Sequence, residues 1–231
     1  MSESLLLAVE ITFDLLYLAT VWVLVALMFK NRGNLLEENK KIGVLFIWAF
    51  FLLALGDTGH VGFRVLAYAT GGLEANPALV GLGALATAVT VTFFYMLVAE
   101  IWRIRFNRKK DWIWWGLMVV GVIRLLIMIP AQNQWTNVVP PFSWSLARNI
   151  PLMIQGIGIA VLLLKDALKH NDKMVKWISA MIFVSYICYT PVILFVQKVP
   201  MLGMLMMPKT LAYVAVAVIA YGIFKDKPAE G

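Results

Sequence analysis

The chain has little of what a water-soluble domain uses to cover itself. Charged residues make up only 14% of its 231 positions, while 61% are hydrophobic. Ordinary globular domains sit near about 25% and about 45–50%. A core of this length has too little interior to hide so much apolar surface, which makes lipid the expected solvent for most of it. The single cysteine, Cys188, excludes an intramolecular disulfide and a cysteine-rich metal site. With two histidines in all, and only His60 inside an apolar run, a zinc centre is poorly supplied. No metal and no cofactor is expected. Phosphate-binding glycine loops, G-x-S-x-G elbows and H-E-x-x-H strings are absent too. The first apolar run has no basic segment before it, so it reads as a span and not as a cleaved signal peptide.

What remains is a series of apolar runs. Seven can be drawn, at Leu5–Phe29, Ile42–Tyr68, Ala78–Trp102, Trp112–Ala131, Phe142–Leu164, Val175–Gln197 and Met201–Phe224. Each must be helical, because an unpaired strand edge has no hydrogen-bond partner in hydrocarbon. The expected fold is all-α: one polytopic domain over residues 1–231, a seven-transmembrane-helix bundle.

The net charge of +7 could point to nucleic acid, but its placement points to a membrane. The first link holds Lys30, Arg32, Lys40 and Lys41, and the third holds Arg103, Arg105, Arg108, Lys109 and Lys110. Lys165, Lys169, Lys173 and Lys176 fall in the fifth, and Lys225 and Lys227 in the tail. The alternate links carry Lys198 alone. This positive-inside asymmetry places the N-terminus outside and the C-terminus in the cytoplasm, with no role for nucleic acid. Trp102, Trp112, Trp114, Trp115 and Trp177 near inner ends, with Trp135 and Trp144 near outer ends, fit interfacial belts.

Several charges stay inside the spans. They are Glu10, Asp14, Asp57, Arg64, Arg124, Arg148 and Lys209, accompanied by His60. Each costs about 2.5–3.5 kcal/mol at bilayer depth on insertion scales, so a set of this size points to function. With spans alternating in direction, all eight fall in the outer half. Helical spacing groups Glu10 with Asp14, Asp57 with His60 and Arg64, Arg148 with Gln155, and Lys209 with Tyr213. Ser179, Tyr186, Thr190 and Gln197 form a polar stripe on the sixth span, and Pro130, Pro151, Pro191 and Pro208 are expected to interrupt helices near the cavity, with a loop boundary as the alternative for Pro130. Between this level and the cytoplasm, Thr90, Thr92 and Gln155 are nearly the only polar groups.

The expectation is a charged pocket open to the outer side. Glu10, Asp14, Arg64, Arg124, Arg148, Asn149, Gln155, Tyr186, Tyr189, Lys209 and Tyr213 are its candidate ligand-binding residues. Internal pairing of three acids with four cations would leave one cation for a small anion or an anionic or zwitterionic lipid headgroup. Asp57 and His60, one turn apart, are the candidate catalytic pair, the carboxylate orienting the imidazole for chemistry on a lipid. The alternatives are a seven-helix receptor signalling through a cytoplasmic protein partner and a small-solute transporter. The transporter is disfavoured by the sparse polar groups of the inner half.

Five strings gather these residues: Gly56-Asp57-x-x-His60 with Arg64, Pro130-x-Gln132-Asn133-x-Trp135, Arg148-Asn149-Ile150-Pro151, Tyr189-x-Pro191 and Pro208-Lys209-Thr210-x-Ala212-Tyr213. Together they resemble a family of uncharacterised bacterial seven-helix membrane proteins. The resemblance covers most of the chain. It implies a bacterial plasma (cytoplasmic) membrane and brings no activity with it.

Overall fold

The computed structural model describes residues 3–225, with side chains from residue 8 onward. Residues 1, 2 and 226–231, which include Lys227 of the basic tail, lie outside the described residues. Seven helices follow one another: α1 (Glu3–Lys30), α2 (Lys40–Ala69), α3 (Pro77–Arg105), α4 (Trp112–Met128), α5 (Phe142–His170), α6 (Lys173–Phe195) and α7 (Met206–Tyr221). There is no strand among the described residues. Six segments are long and apolar enough to cross a membrane, and α4, at 17 residues, is shorter. Leu16, Leu126, Ile187 and Val218 are among many large apolar side chains left exposed around the bundle. That surface suits a multi-pass helical membrane protein, whose outer face meets lipid.

Local chemistry sets the ends. Asp111 caps α4, its carboxylate accepting from the backbone N–H groups of Ile113 and Trp114 at 3.1 Å each, and Asp172 caps α6 through Val175 N–H at 3.0 Å. Pro77 begins α3, where its missing N–H costs nothing. Asn171, in the left-handed region at φ 54°, ends α5.

Three boundaries differ from the sequence reading. α4 stops at Met128 instead of Ala131, because Asn133 turns back and donates from Nδ2 to the carbonyls of Ile127 (2.7 Å) and Pro130 (3.0 Å). Pro130 therefore follows the helix and does not interrupt it. α5 continues to His170, so Lys165 and Lys169 ride on a helix and not in a link. Residues Pro200–Leu205 form 3-10 turns, and α7 begins only at Met206. Pro208 thus lies in the first turn of α7, where no intrahelical partner is lost. Pro151 and Pro191 do lie inside α5 and α6.

Consecutive helices pack on each other, α1 also packs on α7 and so closes a ring, and α3 reaches α5 through its interior. The α2–α3 seam is the closest. A Cβ on Gly56 would fall 1.8 Å from Thr90 Oγ1, and one on Gly83 would fall 2.9 Å from His60 Cα. Small residues let these backbones approach, as in other membrane helix pairs. Across the middle of the ring, Phe50, Phe94, Tyr95, Tyr186 and Tyr213 pack edge to face or tilted, with ring centroids 5.2–5.9 Å apart.

At the end bearing the basic links, charges are paired. Arg103 grips Glu100 through Nε (2.8 Å) and Nη2 (2.6 Å), and Trp114 Nε1 donates to the same carboxylate at 3.0 Å. Arg105 bonds Asp172 (2.8 Å) and Asn39 (3.0 Å). Asp166, 1% exposed, accepts from Trp102 Nε1 (2.9 Å) and from both Nε and Nη2 of Arg108. Those hydrogen bonds raise the Arg108 guanidinium above its ordinary value. Trp102 and Trp114 are consequently buried donors and not members of an interfacial belt, whereas Trp112, Trp115 and Trp177 are exposed.

Candidate functional site

The other half of the bundle encloses a cavity of about 320 Å³. Each helix contributes from the same end: the beginning of α1, α3, α5 and α7 and the last half of α2, α4 and α6. Twelve of the thirteen candidate residues line it: Glu10, Asp14, Asp57, His60, Arg64, Arg124, Arg148, Asn149, Tyr186, Tyr189, Lys209 and Tyr213. All seven ionisable span residues and His60 are therefore gathered at one place. Gln155 is not among them. It is fully buried between α5 and α4, where Nε2 donates to Leu117 O at 3.1 Å and Oε1 has no partner.

The pairing inside differs from the charge count. Glu10 meets Arg64 at 2.8 Å, and both are partly exposed. Among the described residues Asp57 pairs with no cation within 4.0 Å; it accepts from Tyr17 Oη at 2.5 Å and Thr87 Oγ1 at 3.2 Å. Tyr17 was open to discovery from the sequence, because it continues the Glu10–Asp14 face by three residues. No hydrogen bond joins Asp57 to His60, whose Nδ1 is buried without a partner. The two groups line one cavity, but the expected carboxylate–imidazole dyad is not formed. The reason is local: Tyr17 and Thr87 occupy the carboxylate.

Three cations have no carboxylate within 4.0 Å among the described residues. Arg124, 2% exposed, is held by neutral oxygens: Arg148 O at 2.9 Å, Ala88 O at 2.8 Å and Thr92 Oγ1 at 2.6 Å. Thr92 does not line the cavity but supports Arg124 from behind it. Arg148 donates from Nη1 to Asn133 Oδ1 at 3.3 Å and lies 4.5 Å from the Trp135 ring centroid, leaving most of its five donors uncommitted. Lys209 Nζ stands 4.5 Å from the Tyr189 ring and 5.8 Å from that of Tyr213, with no ion pair or hydrogen bond. Asp14 likewise has neither among the described residues.

The hydroxyls are largely committed. Tyr186 donates to Leu152 O at 3.0 Å and fills the space above Gly156, where a Cβ would come within 1.9 Å of its Oη. Tyr189 donates to Asn149 Oδ1 at 3.1 Å, and Tyr95 and Tyr213 share a bond of 2.7 Å. The α6 stripe serves packing more than the cavity: Ser179 bonds Ala160 O on α5, Thr190 bonds its own helix, and Gln197 bonds Pro140 O. No three His, Cys, Asp or Glu side chains come together as a metal-holding group among the described residues.

Trp135 and Asn133, from the link after α4, are the site residues that helix reasoning misses, because no periodicity governs a loop. The link is pressed onto α3 at Gly81, where a Cβ would fall 1.3 Å from Trp135 O. Compared with protein-family models, curated proteins and solved structures, the chain finds no match. Each of the five strings singled out in the sequence supplies at least one residue to the cavity: Asp57, Trp135, Arg148, Tyr189 and Lys209.

Proposed function

We propose that this chain spans a bacterial plasma membrane seven times, N-terminus outside and C-terminus in the cytoplasm, and that its outer-half cavity binds an anionic group. That group belongs to a small solute or to an anionic or zwitterionic lipid headgroup. The observation that carries the reading is the trio Arg124, Arg148 and Lys209, gathered in one cavity and, among the described residues, without a carboxylate within 4.0 Å. Unpaired cations in a low-dielectric setting are costly, and an anion would relieve the cost. Arg148 has free donors suited to bidentate capture of phosphate or carboxylate. Volume agrees, since about 320 Å³ lies at the small end of ligand pockets.

Binding without chemistry is the reading this arrangement favours. Asp57 and His60 are not coupled, and the cavity tyrosines are engaged elsewhere. Transport gains no support, because the aromatic layer of Phe50, Phe94 and Tyr95 is packed between the cavity and the basic end. Orientation rests on the basic links and is checked by labelling. In a Cys188→Ser background, Asn137→Cys should react with a membrane-impermeant maleimide on intact cells, and Lys109→Cys should not. The reverse pattern would invert the topology.

Native mass spectrometry of the protein purified in mild detergent tests occupancy. Retention of a phosphate- or carboxylate-bearing molecule, lost in Arg148→Ala with the fold intact, is the expected result. Equal retention by wild type and Arg148→Ala would overturn the assignment of the site.

A further inference from the structure

The cavity has two poles. The ring order sets α1 across the interior from α4 and α5. On the α4–α5 side stand Arg124 and Arg148 without carboxylates. On the α1 side stands Asp14, which among the described residues has no ion pair within 4.0 Å and no hydrogen bond, Arg64 acting on it only from farther away. Its neighbour Glu10, one turn earlier, is taken by Arg64 at 2.8 Å, and Asp57 is taken by Tyr17 and Thr87. An anion on the arginines would satisfy one pole and leave the carboxylate of Asp14 unmatched in the same space. Only a ligand bearing both signs satisfies both.

We infer that the ligand is a zwitterion, its phosphate or carboxylate seated on Arg124 and Arg148 and its primary ammonium seated on Asp14. This rests on the anion-binding reading above and narrows it. A primary ammonium fits better than a quaternary one. Quaternary groups are held by open aromatic faces, and here Trp135 and Tyr189 already face the cavity's own cations, Arg148 and Lys209. A carboxylate without partners can instead accept the N–H groups of an ammonium. The same chemistry is presented by a phosphoethanolamine headgroup at the end of a lipid and by a free phosphorylated or carboxylated amine.

The test compares two probes that differ only in the ammonium. Purified protein in detergent is titrated calorimetrically with O-phosphoethanolamine and with ethyl phosphate. Wild type is expected to prefer the zwitterion by about tenfold, the scale of one charge-assisted contact. Asp14→Asn should bind both probes alike, at the affinity of wild type for ethyl phosphate, and Asp14→Glu should restore the preference. Arg148→Ala should weaken both probes together. For a lipid source, native mass spectra of the protein offered equal phosphatidylethanolamine and phosphatidylglycerol should show the first retained, with the selection lost in Asp14→Asn. That result supports the inference even when the soluble probes fail to bind. Equal binding of both soluble probes by wild type, or a preference that survives Asp14→Asn, overturns the zwitterion and leaves anion binding standing. Failure of every probe and both lipids overturns both.

Discussion

The two ends of this bundle handle charge in opposite ways. At the basic end, Arg103, Arg105 and Arg108 each meet a carboxylate, and the indoles of Trp102 and Trp114 complete the shells of Asp166 and Glu100. At the cavity end, one pair forms at the rim, between Glu10 and Arg64, while Arg124, Arg148 and Lys209 are left with neutral oxygens and aromatic faces. The same chain thus satisfies charge fully where charge serves only the fold. The contrast teaches that the cavity's incomplete pairing is a property of the site and not of the chain's general packing. On the proposed anion-binding reading, stability is given up there for binding, a common trade at functional sites.

The sharpest way to break this comparison is to remove an unpaired cation. Lys209→Met keeps an unbranched side chain, one atom shorter, but deletes Nζ with its charge and its approach to the Tyr189 and Tyr213 rings. Affinity for ethyl phosphate should fall by about 30-fold or more, as when one partner of a desolvated charge pair is truncated, while the thermal midpoint in detergent holds or rises. A lower midpoint with unchanged affinity would make Lys209 a structural group. The same kind of change at the other end should do the reverse. Asp166→Ala strips partners from Arg108 and from the buried indole of Trp102, with an expected loss of about 1–3 kcal/mol. Its thermal midpoint should drop and its phosphate affinity should not move.

A smaller effect is expected at Gly81→Ala, where the new methyl would collide with Trp135 O and push the loop off α3. Losing the Trp135 face beside Arg148 should cost about 0.5–2 kcal/mol of binding, read as a few-fold to about 30-fold weaker titration. The smallest belongs to Glu10→Gln. Its pair with Arg64 is partly exposed, and such pairs contribute about 0–1 kcal/mol. Its midpoint and phosphate affinity should stay near wild type. A large change in either would mean that the rim pair closes the cavity.

Much of this was legible in the sequence because a membrane makes two quantities visible. Apolar run length locates helices, and alternation of direction converts position along a helix into depth. Residues far apart in the chain, such as Asp14, Asp57 and Lys209, could therefore be assigned to one level before any packing was known. Partner choice could not be read in the same way. Nothing in composition says that Asp57 is held by Tyr17 and Thr87 and not by a cation, or that Thr92 accepts from Arg124. Those depend on helix rotation and on the close α2–α3 approach at Gly56 and Gly83. Gln155 shares a face with Arg148 by spacing, yet seven residues carry it about 10 Å deeper along α5, into the α4 seam. Asp166 escaped notice because it looked like part of a link, whereas α5 runs on to His170.

On the anion-binding reading, the three cations without ion pairs hold one phosphate, and a single titration tests this. Ethyl phosphate added to wild type, Lys209→Met and Asp166→Ala, each in the same detergent, should saturate a single site in wild type and Asp166→Ala and fail to do so in Lys209→Met. Identical saturable isotherms from all three proteins, or no saturable heat from wild type together with no phosphate-bearing lipid retained in its native mass spectrum, would contradict it.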